Sequence, residues 1–138
     1  MTLRYLLDTN VVSEPLRPRP ARGVLRRLGA HENQIAIPSV VWHELRFGAD
    51  RLPVSRRREA IERYLKEIVF TTMPILPYDH AAAEWHATER ARLASRGASP
   101  SFADGQIAAI ARVNDLILVT FNAADFKRFE GIEVVSWA

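Results

Sequence analysis

Cysteine is absent from the 138 residues, which removes disulfides and thiolate metal sites together. A chain without thiol chemistry points to a reducing, cytoplasmic setting, and any metal it holds must be bound through oxygen or imidazole. Imidazole is scarce too, with four histidines. His43 adjoins Glu44 on a helix, where consecutive side chains diverge, and His80 and His86 stand six apart without sharing a face, so no zinc motif emerges. No apolar run approaches the roughly 20 residues that a membrane-spanning helix needs. The short run at the amino terminus meets Asp8 instead of a small-residue cleavage site, so neither an anchor nor a secretory leader is expected. Lysine is almost missing: Lys66 and Lys127 are the only two among 19 basic side chains. The formal charge of +3 is thus carried by arginine, whose planar fork suits phosphate. That balance admits nucleic acid as a partner and equally admits a solvated arginine-rich surface. With no repeat, low-complexity tract or linker, a chain of this length reads as one domain over residues 1–138, burying roughly two-thirds of its unfolded surface.

What is present begins with Arg4-Tyr5-Leu6-Leu7-Asp8-Thr9-Asn10. Consecutive apolar positions suit a strand covered on both faces, as in parallel sheets, and ligands of such sheets gather beyond the strands' carboxyl ends. Asp8 either does chemistry there or caps the next helix, with Thr9 and Asn10 as turn formers. A short helix over residues 10–16 stops before Pro18 and Pro20, and an amphipathic one follows over 21–31, where Arg22, Arg26 and Arg27 flank Val24, Leu25 and Leu28. Gln34–Pro38 reads as a strand, after which Ser39 caps a helix to Asp50 with Val40, Val41, Leu45 and Phe47 supplying apolar contacts. Trp42 is assigned to packing. Glu44 lies soon after that strand, and is either functional or an exposed residue favoured by the helix dipole.

The next helix is predicted from Ser55 to Val69, with a stripe of Ala60, Ile61, Tyr64, Leu65 and Ile68. Arg56, Arg57 and Arg58 oppose the dipole at its start and read first as a solvated face, with a nucleic-acid or partner contact as the alternative. Thr72–Leu76 forms a strand that Pro74 pushes toward an edge. Asp79 caps a helix to Ser95 that Gly97 stops. Ala81, Ala82, Trp85, Thr88 and Leu93 are its inward residues, while Glu84, Glu89, Arg90 and Arg92 decorate it, and Glu84 is assigned to the surface in preference to an acidic site. A helix from Ser101 carries Asp104 in its first turn at the spacing of a capping box. Its Ala108, Ala109 and Ala111 imply close packing that would hold Asp104 rigidly against the sheet. Leu116–Thr120 is the clearest buried strand; Asn122 then caps a helix with Asp125 as its third residue, and Glu133–Val135 is the last strand.

Strands alternating with helices imply a three-layer α/β/α domain with a mostly parallel central sheet. Asp8, Glu44 and Asp125 follow strand ends and Asp104 opens a helix, so the four acids can converge on one edge. Carboxylates so gathered repel and raise one another's pKa values unless a cation neutralises them. Oxygen ligands alone suit Mg²⁺ or Mn²⁺, which can bind a phosphate oxygen and acidify a water for attack on phosphorus. Thr9, Asn10, Thr120 and Asn122 are placed to support ligands, water or phosphate by hydrogen bonding.

Leu7-Asp8-Thr9-Asn10, Glu44 after a strand, Asp104 followed by Ile107-Ala108-Ala109, and Thr120-Phe121-Asn122-Ala123-Ala124-Asp125-Phe126 resemble the PIN-domain family in order and spacing over nearly the whole chain. Within it they are most similar to the VapC-type toxin ribonucleases and their FitB-like branch. The resemblance implies a PIN-like domain acting as a Mg²⁺- or Mn²⁺-dependent endoribonuclease, the toxin of a type II toxin-antitoxin pair. It also implies a homodimer or higher toxin-antitoxin assembly, inhibited by a small VapB-type antitoxin whose tail occupies the acidic groove. Asp8, Glu44, Asp104 and Asp125 carry over as the acidic quartet, with Thr120 and Asn122 as supporters. The competing reading is a non-catalytic metal- or phosphate-binding module similar to a response-regulator receiver. That module expects adjacent acids after the first strand and a lysine after a late one, whereas Thr9 follows Asp8 and no lysine follows Thr120 until Lys127. A purely structural protein would leave the four acids unexplained.

Overall fold

Tyr5, Leu6 and Leu7 form β1 (Tyr5–Leu7), and none of the three is exposed. Neighbouring strand residues point to opposite faces, so a strand without a wet position needs helices on both sides. The computed structural model, which describes residues 2–138, has that three-layer arrangement. β1 lies at the centre of a five-stranded sheet with β2 (Ile35–Pro38), β3 (Ile75–Leu76), β4 (Ile117–Val119) and β5 (Val134–Val135), in the order β3-β2-β1-β4-β5. The sheet expected to be mostly parallel is parallel at every described pairing. Tyr5 pairs with Ile35 on one side, and Leu6 and Leu7 with Leu118 and Val119 on the other.

The helices are α1 (Thr9–Val12), α2 (Arg22–Ala30), α3 (Ser39–Asp50), α4 (Arg56–Tyr64), α5 (Phe70–Thr72), α6 (His80–Ser95), α7 (Phe102–Val113) and α8 (Ala123–Phe126). Polar caps start three of them as anticipated. Ser55 Oγ accepts from the Arg58 N–H at 3.1 Å, Asp79 Oδ1 from the Ala82 N–H at 2.9 Å, and Ser101 Oγ from the Asp104 N–H at 3.1 Å. Two expected caps differ. Ser39 is already helical behind Pro38, and the Asn122 side chain makes no capping bond.

The helix predicted as one piece to Val69 changes pitch. α4 ends at Tyr64, a π-helical turn runs over Leu65–Val69, and α5 completes the segment. Leu65, Val69 and Met73 are all buried; their four-residue spacing drifts around a 3.6-residue helix, and the wider turn absorbs the drift. Because Phe70–Thr72 stay helical, the strand expected over Thr72–Leu76 shrinks to Ile75–Leu76, at the edge that Pro74 requires.

Several inward assignments also change, and Ala60 and Ile68 of the expected stripe are exposed. Phe47 is exposed instead of packing inward. On α6, Ala81 and Thr88 face water, while Ala82, His86, Glu89 and Leu93 are buried. Glu89 tolerates this because Arg92 pairs with it and the Glu130 N–H donates to its Oε1 at 2.8 Å. α7 meets the expectation of close packing: Ala108, Ala109 and Ala111 are fully buried together with Ile110. No helix among the described residues is long and apolar enough to cross a membrane.

Candidate active site

Strand order reverses beside β1, with β2 and β3 on one side and β4 and β5 on the other. A crevice therefore opens between the carboxyl ends of β1 and β4, the place where open parallel sheets receive ligands. Asp8 follows β1 directly and Thr120 follows β4. The Thr120 hydroxyl donates to Asp8 Oδ2 at 2.8 Å, locking the two strand ends together. The Asp8 N–H extends the ladder to the Val119 carbonyl at 2.9 Å, and Asp8 Oδ1 accepts the Thr9 N–H at 2.8 Å. Asp8 is thus the cap of α1 and a member of the crevice at once.

The remaining acids come from three helices. Glu44, on α3, receives a hydrogen bond from the Thr9 hydroxyl at 2.8 Å, which ties the end of β1 to the helix after β2. Asp104 sits half-buried in the first turn of α7. Asp125, exposed on α8, follows Asn122, whose N–H donates to the Thr120 hydroxyl oxygen at 3.0 Å and sets the chain's direction beyond β4. Burial pushes the Asp104 carboxyl above the usual carboxylate range. The Ser101 hydrogen bond opposes this, and the charges of Asp8, Asp125 and Glu44, in that order, push it further up. Acids far apart in the chain therefore share one electrostatic field. Glu84 is not among the charges acting on Asp104; it lies exposed on α6 with His80 at 3.6 Å, in agreement with its surface assignment.

A divalent cation fits this set by donor type and by charge. The donors are hard oxygens, which suit Mg²⁺ and Mn²⁺, and Asp104 is held in a field that a cation relieves. Asn10, two residues after Asp8, has a buried Oδ1 without a hydrogen-bond donor. As the side chains stand, no three acidic or histidine groups among the described residues close around a single point. Beside Thr9 and Glu44 runs a groove of about 450 Å³, apolar at Leu16, Leu45 and Ile61 and basic at Arg17, Arg51 and Arg57.

Sequence reasoning missed three residues. Glu14, buried in the 3₁₀ turn Glu14–Leu16, accepts from Arg17 at 3.3 Å and from the Ala21 N–H at 3.4 Å, joining the entry of α2 to α1. His86, which forms no zinc motif, lies buried against the start of α7. Gly105 carried the one usable signal, a glycine inside a helical pattern directly after an acid, which marks close approach.

The sequence pattern of the PIN domain matches residues 5–132. The chain is 34% identical over 137 residues to a tRNA(fMet)-specific endonuclease VapC of Shigella flexneri, covering 99% of each. Among solved structures, the FitAcB crystal structure from Neisseria gonorrhoeae superposes with a TM-score of 0.87 at 30% identity, covering 96% of this chain and 97% of that one. DNA-bound VapBC from Salmonella typhimurium gives 0.86 at 28% identity, with 99% of both chains covered. The receiver alternative is overturned by topology, because the order β3-β2-β1-β4-β5 differs from the 2-1-3-4-5 order of that fold. Pattern, relatives and architecture agree, and the chain belongs to the PIN domain family.

Proposed function

We propose that the protein is a divalent-metal-dependent endoribonuclease and the toxin of a type II toxin-antitoxin pair. The observation that carries this reading is the gathering of acids from distant parts of the chain: Asp8 bonded to Thr120 and Glu44 to Thr9, each at 2.8 Å, with Asp104 close enough that, after burial, the charges of Asp8, Asp125 and Glu44 add to the rise of its carboxyl against the Ser101 hydrogen bond. Asp8, Glu44, Asp104 and Asp125 would hold the ion, with Thr9 and Thr120 orienting the first two and Asn10 and Asn122 flanking them. A bound Mg²⁺ or Mn²⁺ supplies neutralising charge and Lewis acidity toward a phosphate oxygen and a water. Within the chain, Thr120 keeps Asp8 in one rotamer and Thr9 does the same for Glu44, so neither carboxylate has to reorganise when substrate arrives. The water attacking phosphorus would give up its proton to solvent, while the ribose oxygen on the far side leaves and is protonated from solvent.

The relative named as a tRNA(fMet)-specific endonuclease supports RNA as the substrate. The FitAcB and VapBC structures support a small VapB-type antitoxin as the partner, and the groove beside Glu44 offers a seat for its tail. We further assign a single domain over residues 1–138, a cytoplasmic location and a homodimer as the working unit.

The reading is tested by incubating the purified, antitoxin-free protein with total cellular RNA in Mg²⁺ or Mn²⁺, with and without chelator. Cleavage is expected only with the ion, and Asp8→Asn and Asp104→Asn should each abolish it in folded protein. In parallel, Mn²⁺ at about 100 times its dissociation constant should stabilise the fold by about 2.7 kcal/mol, an increment that Asp104→Asn loses. Full cleavage in chelator would overturn the reading.

A further inference from the structure

We propose that His86 is a positioning residue for Asp104: held by Tyr78, it forms a buried stop against which Gly105 seats the first turn of α7, and that seat sets where the Asp104 carboxylate stands. The proposal rests on the metal-site reading of Asp104 given above.

His86 is 3% exposed in the middle of α6. Its Nδ1 lies 2.8 Å from the Tyr78 hydroxyl, and the Tyr78 ring stands edge-on to the imidazole with centroids 5.8 Å apart. Phe102, at the start of α7, packs on the imidazole with centroids 4.8 Å apart. The far side of the ring faces the α-carbon of Gly105. A Cβ at that position would lie 2.6 Å from His86 Cδ2 and 2.8 Å from Cε1, and closer still to Nε2. Every one of these separations is well inside van der Waals contact, which begins at roughly 3.5 Å between carbons.

The ring cannot easily give way. Tyr78 holds one edge, and the void beside it, bounded by Arg90, Leu93, Pro100 and Phe129, is only about 10 Å³. Burial, and after it the Arg90 guanidinium, lower the imidazole's pKa. Glycine in a helix interior costs about 1 kcal/mol relative to alanine. Gly105 shows no left-handed φ that would demand it, so close approach to His86 is what the residue serves. The contact falls one residue from Asp104, on the turn whose Ser101 cap also bonds the Asp104 N–H. A shift of α7 at this point moves Asp104 relative to Asp8 and Glu44, and sites of this kind tolerate only about 0.5 Å.

The test compares the wild-type chain with Gly105→Ala, His86→Ala, the double variant and Asp104→Asn. Mn²⁺ binding is followed by the loss of the free-ion electron paramagnetic resonance signal, at a temperature well below each protein's melting point, alongside kcat and KM for RNA. Gly105→Ala should bind Mn²⁺ about tenfold more weakly and lose kcat with KM little changed. In the double variant the added methyl enters space the ring has left, and most of the loss should be recovered. Wild-type Mn²⁺ affinity in Gly105→Ala, or a double variant as weak as Gly105→Ala, overturns the proposal. If Gly105→Ala does not fold, His86→Ala decides: adding the methyl to it must strengthen Mn²⁺ binding, and no gain overturns the proposal. Asp104→Asn separates the two readings. If it keeps wild-type binding, the metal-site reading fails; if it loses binding while Gly105→Ala keeps it, the positioning role alone fails.

Discussion

Replacing Thr120 by valine keeps the shape of a fully buried side chain and removes one hydroxyl. That hydroxyl does two things: it donates to Asp8 Oδ2 at 2.8 Å and accepts the Asn122 N–H at 3.0 Å. A hydrogen bond to a charged acceptor is worth about 1.5–3 kcal/mol. Asn122 is exposed, so its N–H can turn to water and adds little. Asp8 is buried, so its Oδ2 recovers solvent only in part. The expected loss is therefore about 2 kcal/mol, measured as a lower urea midpoint at unchanged slope in metal-free protein. With saturating Mn²⁺ the difference should narrow, because a cation at the carboxylate stands in for the missing donor. Thr120→Ser retains the hydroxyl and gives up one methyl, and should lose about 1 kcal/mol. A valine variant with the wild-type midpoint would refute the claim that Thr120 bears the charge of Asp8.

Three further outcomes follow from the same contacts. Asp8→Asn in metal-free protein should bring the Asp104 carboxyl back toward its ordinary range, since Asp8 is the first of the neighbouring charges that raise it; carbon-detected carboxyl titration reads this, and an unmoved Asp104 refutes the shared field. The Glu89 carboxyl is held below its usual range, chiefly by its hydrogen bond from Arg92 and with help from the Glu130 N–H, against the opposing effect of burial. Its stabilisation is therefore complete above the ordinary carboxylate pKa and is lost as pH falls through the lowered value, so the wild type's advantage over Glu89→Gln in urea melts should shrink on acidification; a pH-independent gap contradicts this. Burial pushes the Tyr64 hydroxyl up to about 12 while it donates to the Val12 carbonyl at 2.6 Å, and Tyr64→Phe should cost about 1 kcal/mol in the same melts, with no change indicating that the bond joining α4 to α1 is not maintained.

Much of the architecture was legible because it is written in short-range patterns. The apolar run before Asp8, the cap residues Ser55, Asp79 and Ser101, the stop at Gly97 and the small residues of α7 each act within a few positions, where alternation, capping and backbone sterics decide the outcome. The acids at strand ends were legible for the same reason. Where the reading failed, the deciding contact came from elsewhere. Glu89 is buried because Glu130, 41 residues away, donates to it, and Phe47 is exposed despite its hydrophobicity. The π-helical turn follows from the need of Leu65, Val69 and Met73 to face one core, which helix propensity does not register.

The amino-acid order by itself determined that strands would alternate with helices and that carboxylates would stand at their ends, since both follow from side-chain periodicity and local hydrogen bonding. Only the tertiary structure decided that Asp8 meets Thr120 across 112 positions, and Glu44 meets Thr9 across 35. It also decided that His86 lies close against Gly105, on the turn carrying Asp104. These depend on strand order and on how helices seat against the sheet, and such choices are made by burial over the whole chain, which no local pattern contains.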